Sequence, residues 1–191
     1  MIRKLLFFLT SILVALASYG QQSGFQPGYI VTNTNDTIQG LIKCVNQVPY
    51  RVLVDIKFKK TGESKAKTYA PGTLLGYTTQ GKIFHSQQNP DHGGVQYMEL
   101  ILDGYVKIYQ STVTSFGVPQ YGPANSTSIY LLKTGDQHLF NPRKGKFKDR
   151  VSEYVADHEA LSESVRSGEY KKRDIEDIIW IYNDSKKLRT L

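Results

Sequence analysis

Residues 95–110 read VQYMELILDGYVKIYQ, two apolar runs on either side of Asp103-Gly104. Asp-Gly is the strongest short-range hairpin signal, because a type I′ turn needs positive φ at both central positions. A two-residue loop sets Leu102 opposite Tyr105, Leu100 opposite Lys107 and Met98 opposite Tyr109 on one side. The other side then carries Tyr97, Glu99, Ile101, Val106 and Ile108. Both faces are largely apolar, so this hairpin is expected in a central place, covered from two sides.

Outward from it, punctuation recurs every 8 to 12 residues from Tyr29 to Phe140, as in antiparallel β domains. Ten strand-like runs result: 29–32, 37–45, 51–59, 66–69, 74–79, 82–86, 95–102, 105–116, 127–134 and 137–140. Turns as short as Gln80-Gly81 and Gly135-Asp136 force their flanking strands to be antiparallel. Residues 117–126 (GVPQYGPANS) read as a loop, and its Tyr121 is a candidate for partner contact, since loops on a rigid β scaffold carry function.

From Lys144 the period changes to that of a helix. Phe147, Val151, Tyr154, Val155 and His158 share one helical face. Asp157 is placed to cap a second helix carrying Leu161 and Val165, with Gly168 ending it. Asp174, with Asp177 three residues on, opens a third helix whose stripe is Ile175, Ile178, Ile179 and Tyr182. The expected fold is α+β: an antiparallel sandwich or partly closed barrel of eight to ten strands with two or three C-terminal helices. The β body occupies 21–143, and the helical segment 144–191 packs on the same domain.

Composition bounds the function. The chain has 191 residues, a net charge of +7 and 40% hydrophobic residues, which excludes a disordered tail. One cysteine, Cys44, excludes a disulfide scaffold and a Cys-rich metal cluster. Within a strand-like run it reads as a small buried hydrophobe.

The first twenty residues read as an address. Met1-Ile2-Arg3-Lys4 is a basic start and residues 5–17 (LLFFLTSILVALA) an uncharged apolar run. Ser18-Tyr19-Gly20 then places small residues at −3 and −1 of a cut between Gly20 and Gln21. This is the order of a secretory signal peptide. The apolar run, at about 1.5 Å per residue, spans roughly 20 Å, short of the ~30 Å hydrocarbon core. Cleavage removes twenty residues and two basic charges, leaving 171 residues at +5 with no transmembrane segment.

Gly28-Tyr29-Ile30-Val31 followed by Asp36-Thr37-Ile38-Gln39-Gly40-Leu41-Ile42 resembles the opening of a group of small exported proteins of Bacteroidota. The resemblance continues at Met98 to Tyr109, at Tyr130-Leu131-Leu132-Lys133, and at Tyr154, Asp157, Asp174-Ile175 and Ile181-Tyr182-Asn183. It implies a place in the periplasm, at the outer membrane or outside the cell, and supplies no activity or catalytic residue. In that lineage Asp36-Thr37-Ile38 also resembles an O-glycosylation acceptor, which marks Thr37; the plain alternative is a turn aspartate followed by a β-branched strand residue.

Chemical motifs are sparse. Gly76 to Lys82 matches the start of a phosphate-binding loop, but Ile83 replaces the required Ser/Thr and the stretch reads strand–turn–strand. His85, His92, His138 and His158 show no metal-ligand spacing. No nucleophile elbow or Ser-x-x-Lys is present. Lysines at 57, 59, 60, 65 and 67, and basic residues at 143, 144, 146, 148 and 150, form two clusters. In an exported chain they suit an acidic glycan better than nucleic acid; otherwise they are solvated, or guard a strand edge. The expectation is a non-catalytic envelope protein that binds a partner protein or glycan and needs no cofactor. The alternatives are a carrier of a small apolar ligand, lined by Met98, Leu100, Leu102 and Tyr109, and a hydrolase with an unrecognised site.

Overall fold

The structure, a computed structural model, describes residues 24–45, 55–116 and 123–187. Among these residues there are nine strands: β1 (Gln26–Thr32), β2 (Thr37–Val45), β3 (Asp55–Lys60), β4 (Lys67–Tyr69), β5 (Leu74–Thr79), β6 (Lys82–Gln88), β7 (Val95–Leu102), β8 (Val106–Phe116) and β9 (Pro123–Lys133). They form one antiparallel sheet in the order β4-β3-β2-β1-β5-β6-β7-β8-β9. Three helices follow: α1 (Phe147–Tyr154), α2 (Glu159–Ser167) and α3 (Ile175–Lys187). The α+β class, the strand count and the C-terminal helices stand as expected. Among the described residues no helix is long and apolar enough to cross a membrane.

Consecutive strands pair as hairpins, because their turns are too short for a crossover. Gln80 and Gly81, at φ 52° and 74°, make the β5–β6 turn with both central residues left-handed. The one break in the order is the return from β4 to β5, which pairs with the free side of β1. The sheet stays open, with β4 and β9 as its edges, but it coils. The Tyr97 hydroxyl of β7 donates to the Ala70 carbonyl beyond β4 at 3.0 Å. Cys44 Sγ of β2 lies 3.8 Å from the Tyr77 hydroxyl of β5.

One face of the sheet carries two cores. Ile30, Ile42, Ile56, Phe58, Tyr77, Phe84 and Tyr97 fill the coiled end. Toward β9 the same face meets the helices, where Val106, Ile108, Ile129 and Leu131 pack on Val151, Val165, Ile178, Ile179 and Tyr182. Each fully buried Ile or Val is worth about 1.5–3 kcal/mol, so α3 is integral to the fold. The reverse face holds Met98, Tyr109, Tyr130 and Leu139. The central hairpin is therefore covered on both sides, as its two apolar faces require.

Several local expectations are corrected. Residues 137–140 add only a bridge between Leu131 and Phe140, not a tenth strand. The β7–β8 register is Leu100 to Tyr109 and Leu102 to Ile108, with an irregularity between them. Gly104 does not adopt positive φ, so the type I′ turn is not formed. Residues 123–126 belong to β9 rather than to a loop. His158, not Asp157, caps α2, its Nδ1 accepting from Leu161 N at 3.3 Å. Gly168 ends that helix at φ 93°, as expected. Asp174 closes a 3₁₀ turn ahead of α3 and accepts from Lys171 N at 2.8 Å.

Candidate functional site

An open cleft of about 820 Å3 lies between the β6–β7 loop, the β9–α1 connection and α1. Its floor is set by Asn89, which turns the β6–β7 loop on itself. Asn89 Oδ1 accepts from Asp91 N at 2.8 Å and His92 N at 3.1 Å, a local asparagine turn. This aims Asp91 at the β9–α1 connection.

The Asp91 carboxylate is satisfied from three directions. Oδ2 accepts from the Tyr130 hydroxyl at 3.1 Å and from Asn141 Nδ2 at 2.5 Å, and Oδ1 faces Lys144 Nζ at 3.3 Å. Burial disfavours the charged form, but the bonds from Asn141, Lys144 and Tyr130 outweigh it and hold the carboxyl below the usual range. Asp91 is thus an ionised clamp across the cleft floor. A residue with both oxygens so engaged is badly placed to take a proton from a substrate.

The opposite wall is aromatic and basic. Phe140 stacks on Tyr154, centroids 4.6 Å apart, and Arg150 lies over the Phe140 ring at 4.7 Å. Arg150 Nη1 donates to the Lys144 carbonyl at 3.0 Å. Among the described residues no carboxylate pairs with Arg150, so most of its five N–H donors remain for a ligand. Asp136, Gln137 and His138 are exposed on the rim. The arrangement offers cations, hydroxyl acceptors and amide donors within one open recess.

The residues singled out by sequence are scattered. The cut between Gly20 and Gln21 and the loop residue Tyr121 lie outside the described residues. Thr37 is exposed at the start of β2, with Asp36 in the preceding turn. Cys44 is exposed, which corrects the expectation of burial. Gly76 to Lys82 is the β5–β6 hairpin. His85 Nδ1 is 2.9 Å from the Tyr109 hydroxyl, and burial followed by the Lys107 charge lowers its pKa. Of the basic residues near α1, Lys144 and Arg150 reach the cleft. Met98 and Tyr109, on the face assigned to an apolar ligand, pack against Tyr130 and Leu139. Asn89, Asp91 and Asn141 were not singled out as a group, because Asp91 and Asn141 stand 50 residues apart.

No family model matches this chain, and no curated protein or solved structure matches it.

Proposed function

We propose that the protein works outside the cytoplasm as a non-catalytic cell-envelope protein whose cleft binds an acidic glycan. The observation that carries this is the Arg150 guanidinium, placed over the Phe140 ring beside Lys144 and paired with no carboxylate among the described residues. Such a fork suits a planar carboxylate or a phosphate. Asp136, Gln137 and Asn141 line the same recess with hydroxyl-binding groups, which a sugar needs and a bare anion does not. The basic–apolar–small order of the first twenty residues supports the location. The engagement of His85 with Tyr109 and of His158 with α2 supports a binding role over hydrolysis.

The test is a 15N chemical-shift titration of the chain from Gln21 onward with a uronate-containing oligosaccharide and its neutral counterpart. Shifts are expected at Gln137, Asn141, Lys144 and Arg150, weakening with salt. Arg150→Ala should reduce affinity about tenfold, the loss of one charge-assisted bond. Equal response to the neutral sugar, or no shift in the cleft, overturns the reading.

A further inference from the structure

A second recess, of about 460 Å3, opens on the reverse face of the sheet where β1, β5, β6 and β7 run side by side. Val31, Leu75, Ile83 and Leu100 give it apolar walls, with the half-buried ring of His85 among them. Strand register explains the hollow. Gly76 of β5 pairs with Val31 of β1 on one side and with His85 of β6 on the other, so no side chain separates those two. A Cβ at Gly76 would lie 2.2 Å from the Phe84 carbonyl oxygen and 3.1 Å from His85 Cδ2. The imidazole therefore lies beside bare backbone.

That ring is oriented from behind. Its Nδ1 is 2.9 Å from the hydroxyl of the buried Tyr109, two strands away on β8. Nδ1 and Cδ2 stand on opposite sides of the ring, so anchoring Nδ1 toward β8 turns the Cδ2–Nε2 edge toward Gly76. Among the described residues Nε2 has no hydrogen-bond partner, and it is not sealed from solvent. Burial, followed by the Lys107 charge, lowers the His85 pKa, which leaves the imidazole neutral at pH 7. Asp103, the one carboxylate lining the recess, is paired with Lys107. An apolar recess of this size with a positioned, accessible polar atom has the make-up of a small-molecule site.

We infer that this recess binds an uncharged aromatic or aliphatic molecule carrying one hydroxyl group. The hydroxyl meets His85 Nε2, and the apolar body lies along Val31, Leu75, Ile83 and Leu100. A hydroxyl both donates and accepts, so it satisfies Nε2 in either neutral tautomer. A carboxylate would give up its hydration, face Asp103 and gain no unpaired cation in return. Leu75 and Ile83, 45% and 40% exposed, are the apolar surface that such a body removes from water. The recess shares no lining residue with the Arg150 cleft, and the inference does not rest on the reading of that cleft.

The experiment is equilibrium dialysis of the chain from Gln21 onward, near neutral pH, with 2-naphthol, 2-methylnaphthalene and 2-naphthoate. 2-Naphthol should bind below about 1 mM. 2-Methylnaphthalene, of similar size without the hydroxyl, should bind at least about fivefold more weakly, the worth of one hydrogen bond, and 2-naphthoate no better. His85→Phe keeps a ring in place and should abolish the preference for 2-naphthol. Leu75→Ser with Ile83→Ser should weaken both uncharged ligands about tenfold. Both positions are exposed, and an unchanged melting temperature confirms that the variant folds. In the unaltered protein the His85 Nε2 resonance should move with 2-naphthol, a readout that stands even where His85→Phe does not fold. Lys144→Ala with Arg150→Ala, which disables the cleft, should leave 2-naphthol binding unchanged. Absence of 2-naphthol binding overturns the inference, as does equal binding of either comparison ligand. Binding that the recess variants do not weaken, or that only the cleft variant abolishes, also overturns it.

Discussion

Asn183 on α3 grips Val106 at the start of β8 with both ends of its amide. Its Nδ2 donates to the Val106 carbonyl at 2.9 Å, and its Oδ1 accepts from Val106 N at 2.7 Å. The side chain acts as one unit of a neighbouring strand, satisfying a buried backbone pair that the irregular β7–β8 turn leaves open. Asn183→Ala strands both groups and should cost about 2–4 kcal/mol in urea unfolding.

Gly104 is coupled to the same amide. A Cβ there would lie 2.4 Å from Asn183 Nδ2, so the glycine is required by close approach rather than by φ. Gly104→Ala should destabilise by about 1–3 kcal/mol through overpacking. In an Asn183→Ala background most of that cost should vanish. Additive losses in the double-mutant cycle would show that the two residues do not meet.

Acid stability should carry the mark of Asp157. Its Oδ1 accepts from the Tyr182 hydroxyl at 2.5 Å, and Oδ2 pairs with Lys186. Burial opposes the charge, but the bonds from Lys186 and Tyr182 prevail and hold the carboxyl at about 2. The folded value lies below the ordinary ~3.9, so this contribution is complete above about pH 4 and is lost as pH falls through 2. The carboxylate is 49% exposed, and solvent screening limits the effect to about 1 kcal/mol or less. Melting curves of Asp157→Asn should therefore be flatter than wild type between about pH 4 and 2. A parallel pH dependence would refute the assignment.

Tyr154 makes an opposite kind of prediction. Its hydroxyl is buried without a hydrogen-bond partner; the Lys133 backbone approaches without reaching bonding geometry. Burial pushes its pKa well up. Tyr154→Phe removes an unsatisfied group while keeping the stack on Phe140, so stability should stay the same or rise by about 1 kcal/mol. A clear loss in thermal unfolding would mean that the hydroxyl has a partner.

Cys44 should react in the folded state. It is exposed one residue from the end of β2, so a maleimide should label it fully without denaturant. Labelling that needs denaturant would restore the buried reading.

Much of the fold is local and was therefore legible. Hairpin partners follow from turn length, as at Gln80-Gly81, and α3 follows from the spacing of Ile175, Ile178, Ile179 and Tyr182. The β7–β8 register was misread for a nonlocal reason. Asp103-Gly104 taken alone favours a two-residue turn, but the Asn183 amide, 77 residues from Val106, imposes another geometry. The Asp157 cap failed similarly: its carboxylate could bond a local N–H, yet Tyr182 and Lys186 from α3 compete for it and leave His158 as the cap. Neither contact has a signature at fixed spacing.

Element types, the antiparallel hairpins and the two-sided cover of residues 95–110 can be read from the chain, because period and turn chemistry act over a few residues. Only the assembled fold shows that β5 returns to β1, that Asp91 meets Asn141 and Lys144 across a cleft, and that Lys43, Lys57 and Lys59 share a face with Leu41. Those relations depend on which strands become neighbours. That choice is made by burial of the whole core, and no short stretch of chain encodes it.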